Sequence, residues 1–120
     1  MLPPSVKIHV ATSPVDMRKS FDGLAAVVRS VLERDPLSGH LFVFFNRRAD
    51  LAKTIWWSNG GLCIFAKRLE RGCFRWARPV EAGARYAEID AADLALLLEG
   101  VDLRSARRQR WWNPPKRDAA

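Results

Sequence analysis

Short apolar runs separated by polar turns occupy the first part of the chain. Residues 7–11 alternate between polar and apolar positions and are rich in β-formers, which predicts a first strand. Residues 41–45 form a continuous aromatic and β-branched run, typical of a strand covered on both faces. Two further β-rich segments follow, at residues 53–58 and 73–78. The pattern predicts a four-stranded sheet from residues 6–11, 41–46, 53–58 and 73–78.

Apolar residues recur at helical spacing in two other segments. The first stripe follows Ser13, a residue suited to capping a helix N-terminus, and predicts a helix near residues 14–34. The second follows Asp90 and predicts a helix near residues 90–100. A short extended segment over residues 86–89 precedes the second helix.

The segment after Asn59 and Gly60 supports two interpretations. Its apolar residues lie at helical spacing and Gly72 lies where a helix C-cap belongs, so we favour a third helix near residues 62–71. The alternative is a strand through residues 62–65, because an Asn-Gly step between apolar segments usually forms a hairpin turn. The helix would place three basic side chains on the face away from its apolar stripe. These are Lys67, Arg68 and Arg71.

The length and composition fit one small α+β domain. The chain has 120 residues, of which 48% are hydrophobic and 28% charged. We predict a mixed or antiparallel four-stranded sheet packed by about three helices over residues 1–103, and a basic, Trp-containing tail over residues 104–120. No apolar run approaches the ~20 residues of a membrane-spanning helix, and the first residues lack the pattern of a signal peptide. We therefore expect a cytoplasmic protein.

The basic residues are unevenly distributed. The formal net charge is +7 at pH 7. Residues 41–80 carry eight basic and two acidic side chains, and residues 101–120 carry six basic and two acidic. Residues 81–100, between them, carry one basic and five acidic. Such segregation indicates one surface suited to a polyanion, with an Arg-rich proteome as the alternative explanation.

The sequence offers no catalytic or metal-binding constellation. His9 and His40 have no neighbouring cysteine or second histidine in the chain, and Cys63 and Cys73 form no CxxC motif. The single Gly-Gly step lacks the Lys-Ser/Thr of a phosphate-binding loop. We therefore expect no enzyme activity, no metal and no cofactor.

Two basic segments are the candidate nucleic-acid contacts, because Arg and Lys side chains bind phosphate oxygens. The first lies in the central block and comprises Arg47, Arg48, Lys53, Lys67, Arg68 and Arg71. The second lies in the tail and comprises Arg107, Arg108 and Arg110, which precede Trp111 and Trp112. Tryptophans beside arginines suit base stacking, docking onto a protein partner, or packing onto the domain's own core. For the central segment, the alternative is a solvated face.

Four motifs, in order, resemble one family. They are DMRKSFDGL at residues 16–24, GHLFVF at 39–44, GLCIFAKRLERG at 61–72 with a Trp before it, and LLLEGVD at 96–102. They are similar to the TnpB accessory protein encoded by the second open reading frame of bacterial insertion sequences of the insertion-sequence-66 type. This family is distinct from the RNA-guided nuclease that shares the TnpB name. The resemblance covers roughly residues 6–103.

The resemblance implies a small protein needed for transposition, acting beside a larger transposase that carries the catalytic acidic residues. It adds Arg18 and Lys19 to the candidate DNA contacts, because both match the family's first motif. The chain departs from the family at Phe45 and Asn46, where many members have a more basic loop. We expect DNA as a partner, together with the transposase and sister accessory proteins. The rival hypothesis is an adaptor that docks onto those proteins through the tail and the acidic helix without contacting DNA.

Overall fold

A mixed five-stranded sheet with one helix on each face forms the domain. The computed structural model describes residues 5–75, 83–99, 101–102 and 107–108. The sheet has the order β4-β3-β2-β1-β5. Its strands are β1 (Ile8–Ala11), β2 (Leu41–Phe45), β3 (Leu51–Ser58), β4 (Gly61–Arg68) and β5 (Tyr86–Ile89). The helices are α1 (Phe21–Ser30) and α2 (Ala91–Leu98), and a two-stranded ribbon pairs β6 (Val101–Asp102) with β7 (Arg107–Arg108).

The α+β class predicted from the sequence is confirmed, and of the two predicted sheet types, mixed or antiparallel, the sheet is mixed. β1 and β2 run parallel and are connected through α1, whereas the other neighbouring strands of the sheet are antiparallel. The described residues form five strands in this sheet and two helices, where the sequence pattern predicted four strands and about three helices. No helix in the described part of the chain is long and apolar enough to span a membrane.

The central strand β2 is buried along its whole length, as its continuous apolar run predicted. On one face of the sheet, Val43 and Phe45 belong to a cluster with Leu97 of α2. On the other face, Phe42 and Phe44 belong to a cluster with the buried side of α1. Successive strand residues point to opposite faces, so one strand contributes to both halves of the core.

The predicted helix over residues 62–71 is wrong, because this segment is strand β4. Asn59 and Gly60 adopt positive φ angles of 49° and 85°, which a two-residue hairpin turn of type I′ requires. The turn places Ser58 opposite Gly61 and pairs all of β4 with β3. Leu62 and Ile64 then pack together against the α1 cluster. The turn chemistry and this pairing outweigh the helical spacing of the apolar residues.

The first helix begins at Phe21, seven residues after the predicted start. The preceding residues form a loop that is bonded to the end of the sheet, since the Val15 N–H donates to the Phe45 carbonyl (3.0 Å). Ser13 therefore does not cap a helix. In contrast, Asp90 caps α2 as predicted, accepting a hydrogen bond from the Asp93 N–H at 2.7 Å.

The structure also differs from the prediction in the C-terminal half of the sheet. The extended segment predicted over residues 86–89 is β5, which pairs with β1. Residues 73–75 of the predicted strand 73–78 are not in a strand; instead the Phe74 N–H donates to the Ala49 carbonyl (2.7 Å). Residues 76–78 lie outside the described part of the chain.

Candidate nucleic-acid interface

Three segments that are distant in the chain meet at one end of the sheet. The loop of residues 12–20 is joined to β2 through the bond from Val15 to Phe45. The β2–β3 loop, residues 46–50, is joined to the chain after β4 by two backbone bonds, from the Leu69 N–H to the Asp50 carbonyl (2.8 Å) and from Phe74 to Ala49. We call this region the cationic end of the sheet. It comprises residues 12–20, 46–50 and 69–75, together with the adjoining residues Lys53 and Arg68.

Basic side chains outnumber acidic ones at the cationic end by eight to three. The acidic residues are Asp16, Asp50 and Glu70, and the basic residues are Arg18, Lys19, Arg47, Arg48, Lys53, Arg68, Arg71 and Arg75. An excess of five positive charges therefore lies in a region whose three parts are tied together by main-chain hydrogen bonds. The sequence alone singled out all of these cations except Arg75, which follows Phe74 in the segment predicted to be a strand.

Lys53 uses its charge inside the protein. Its half-buried ammonium donates to the backbone carbonyls of Met17 (2.8 Å) and Lys19 (3.0 Å). Hydrogen bonds from a charged donor stabilise a structure by about 1.5–3 kcal/mol. Lys53 thus holds the loop of residues 12–20, which carries Arg18 and Lys19, against the sheet.

The first family motif has a local structure of its own. The Arg18 guanidinium binds both carboxylate oxygens of Asp16, at 2.6 to 3.1 Å, and this hydrogen bonding lowers the pKa of Asp16 to about 2. The Arg18 side chain is nevertheless 92% exposed. An added Cβ at Gly23 would lie 3.0 Å from the Lys19 Cβ, so the glycine leaves room for the Lys19 side chain at the start of α1.

The β2–β3 loop is shaped by Asn46. The Asn46 side-chain oxygen accepts hydrogen bonds from the N–H groups of Asp50 and Leu51, both at 3.1 Å, while its amide donates to the Asp50 carboxylate (2.6 Å). Ala49 has a positive φ of 56°, which completes the tight loop. The side chains of Arg47 and Arg48 are exposed as a result.

At the cationic end, three guanidinium groups have no hydrogen bond or ion pair with any residue in the described ranges: those of Arg47, Arg71 and Arg75. All three are exposed. Arg48 and Arg68 make only exposed ion pairs, at 4.0 Å from Asp50 and 3.4 Å from Glu70. Exposed pairs of this kind stabilise by about 0–1 kcal/mol, so both arginines can exchange their partner for a phosphate.

Lys67 adjoins Arg68 in β4 but points to the opposite face of the sheet, which is packed by α2. Its ammonium donates to the Leu98 carbonyl at 2.6 Å. Lys67 and Arg68 are consecutive in a strand and therefore point to opposite faces, which corrects the single basic helix face predicted for residues 62–71. In the tail, Arg107 and Arg108 pair with Asp102 and Val101 in the ribbon. The predicted contacts Arg110, Trp111 and Trp112 lie outside the described residues.

The His9 ring is buried among aromatic side chains. His9 is 1% exposed, stacks on Phe42 (5.3 Å between ring centroids) and lies edge-on to Tyr86 (4.9 Å). Burial, aided by the positive charge of Arg34, lowers the pKa of His9 to about 4. The described residues contain no cluster of three or more His, Cys, Asp or Glu side chains that could bind a metal ion.

Comparison with known proteins places the chain in a family. The chain is 44% identical over 112 residues to the uncharacterized protein y4hO of Sinorhizobium fredii, and the match covers 93% of each chain. It is 37% identical over 118 residues to the uncharacterized protein y4jC of the same organism, covering 97% of this chain and 98% of the relative. No solved structure matches the chain. The family model described as "IS66 Orf2 like protein" matches residues 6–108, and the chain belongs to that family.

Proposed function

We propose that this protein is a non-catalytic accessory protein of IS66-type transposition that binds the DNA of the element through the cationic end of the sheet. The family supports the role in transposition. The observation that supports DNA binding is the meeting, at one end of the sheet, of segments that carry eight basic and three acidic residues and are joined by backbone hydrogen bonds.

The free arginines are the groups through which the cationic end would bind DNA phosphates. Arg47, Arg71 and Arg75 have no partner within the described structure, so binding a phosphate does not require breaking an ion pair there. A guanidinium binds two phosphate oxygens at once, which adds direction to the charge attraction. The cationic end would contact the DNA backbone and position the protein on the duplex, as phosphate contacts generally do.

Salt dependence of DNA binding tests the proposal. The probe is a fluorescent duplex that carries one end of an IS66-type element, with a scrambled duplex beside it. The variant R47A/R71A/R75A removes three free cations from the cationic end. The matched control K7A/R29A/R34A removes three exposed cations from elsewhere. Fluorescence anisotropy is measured over a range of salt concentrations.

We expect the wild-type affinity to fall linearly with salt on a double-logarithmic plot, because each bound phosphate releases counterions. The cationic-end variant should bind about tenfold more weakly or worse, and its slope should be shallower by roughly 0.9 for each phosphate that it no longer neutralises. The control should keep the wild-type slope. Equal weakening in the two variants, or wild-type binding without salt dependence, would contradict the proposal.

The adaptor hypothesis predicts a different result. An adaptor would bind neither duplex at low salt and would co-purify with the transposase or a sister accessory protein. Deleting residues 104–120 would then abolish co-purification.

A further inference from the structure

Strand β4 is an edge of the sheet in the part of the chain that the structure describes. It pairs with β3, and no other described strand pairs with its outer side. β4 is eight residues long, contains no proline, and carries charge only at Lys67 and Arg68. Edge strands in natural proteins are usually short, charged or interrupted, because an open edge pairs readily with another chain. The opposite edge strand, β5, is only four residues long and includes Glu88.

The outward-facing backbone groups of β4 follow from its pairing with β3. The Leu69 N–H points to β3, since it donates to the Asp50 carbonyl. Hydrogen-bonding direction alternates along an antiparallel strand, so residues with odd numbers face β3 and those with even numbers face outward. The open edge therefore presents the N–H and C=O groups of Leu62, Ile64, Ala66 and Arg68.

We propose that a second copy of this chain pairs with this edge, β4 against β4, antiparallel and with the two-fold axis at Phe65. In this register Leu62 lies opposite Arg68 of the second copy, and Ile64 lies opposite Ala66. All four outward-facing residues then find partners. A shift of two residues in either direction leaves Leu62 or Arg68 without a partner. A shift of one residue is excluded because it would join the face packed by α1 in one copy to the face packed by α2 in the other.

Charge also favours this arrangement. Antiparallel pairing places the two Lys67–Arg68 pairs at opposite ends of the interface, with the two Arg68 residues about 20 Å apart and the two Lys67 residues about 14 Å apart, at about 3.4 Å per residue. Both distances exceed the roughly 8 Å screening length at physiological ionic strength. Parallel pairing would place the same cations side by side.

Phe65 supplies the apolar centre of the interface. Its side chain is 47% exposed on the face packed by α2. It borders a groove of about 300 Å³ that is otherwise lined by Leu41, Thr54, Trp56, Leu94 and Leu98. In the proposed register the two Phe65 rings lie directly opposite each other, and cross-strand aromatic pairs stabilise a sheet. Pairing therefore covers one of the largest exposed apolar side chains of the described structure.

A charge exchange at Phe65 tests the proposal independently of DNA binding. The oligomeric state of the full chain is measured by sedimentation velocity for the wild type, F65K, F65E and an equimolar mixture of the two variants. L37K is the matched control, because Leu37 is 45% exposed and lies in a turn outside the sheet. A66P is a second variant, which removes an outward N–H without removing a bond to β3. Circular dichroism verifies that each variant folds.

We expect the wild type and L37K to be dimers at micromolar concentration. F65K and F65E should each raise the dimer dissociation constant about tenfold or more, because like charges meet at the two-fold axis. The mixture should restore dimers, and A66P should weaken them. A monomeric wild type, or dimers that persist in both F65K and A66P, would overturn the proposal. A monomeric wild type whose edge captures another protein would assign the edge to that partner instead.

Discussion

The cationic end and the β1–β5 side of the sheet contain similar charged residues, but these residues differ in how many have a partner. We define the β1–β5 side by Lys7, His9, Glu33, Arg34, Arg85, Tyr86 and Glu88. Each of its three cations has a described partner. The Lys7 ammonium lies 4.0 Å from a Glu88 carboxylate oxygen. The Arg34 guanidinium donates to the Tyr86 hydroxyl, and the Arg85 guanidinium donates to a Glu33 carboxylate oxygen at 3.0 Å. At the cationic end, in contrast, eight basic residues share three acidic ones.

The two regions differ in how many of their cations lack a partner within the described residues, which the number of basic residues alone does not show. A paired cation must leave its partner before it binds a phosphate, and a buried charge requires compensation. On the β1–β5 side each cation has such a partner, although the Lys7–Glu88 and Arg85–Glu33 pairs are exposed. The cationic end uses Lys53 for structure and leaves Arg47, Arg71 and Arg75 unpaired within the described residues.

The largest expected effect on stability comes from acidification, which acts on His9 of the β1–β5 side. Burial lowers the pKa of folded His9 from 6.5 to about 4, so the unfolded chain binds more protons between these values. The stability present above pH 6.5 should therefore be lost as the pH falls toward 4, by about 1.4 kcal/mol for each pH unit. Urea denaturation at several pH values measures this loss.

The variant H9F isolates the contribution of His9, since phenylalanine can stack on Phe42 without titrating. The difference between wild type and H9F should grow as the pH falls through this window. If the two proteins have parallel pH profiles, His9 is not the group responsible.

At the cationic end, K53M should have the next largest effect. It leaves the carbonyls of Met17 and Lys19 without their charged donor, and we expect a loss of about 2 kcal/mol in the free energy of unfolding. K19M is the control, because the Lys19 ammonium has no described partner. Chemical denaturation of both variants checks this. Equal stability of K53M and K19M would remove the structural role of Lys53.

The smallest effect should come from R18A. The pKa of Asp16 should rise from about 2 toward 3.8, because the hydrogen bonds from Arg18 hold it down. Stability should remain close to that of the wild type, since this pair is exposed. An NMR titration of the Asp16 carboxylate measures the shift. An unchanged Asp16 pKa in R18A would show that Arg18 does not hold this carboxylate in solution.

Several elements could be predicted from sequence because their signals are local. The run over residues 41–45 predicted a strand covered on both faces, and Asp90 predicted the start of α2. The segment over residues 62–71 could not be resolved, because its apolar spacing suited a helix while Asn59 and Gly60 suited a hairpin. Pairing with β3 decided the outcome, and such pairing involves residues that local periodicity does not include.

The candidate site shows the same division. The sequence by itself determined the basic character of residues 41–80, the family of the chain and the chemistry available, because these depend on residue identity and order. Only the tertiary structure decided which cations meet, since backbone bonds such as that from Leu69 to Asp50 join separate segments. It also decided that Lys53 and Lys67 donate to carbonyls while Arg47 and Arg71 stay exposed. Whether a charge is held inside or left to a partner depends on geometry that residue order does not specify.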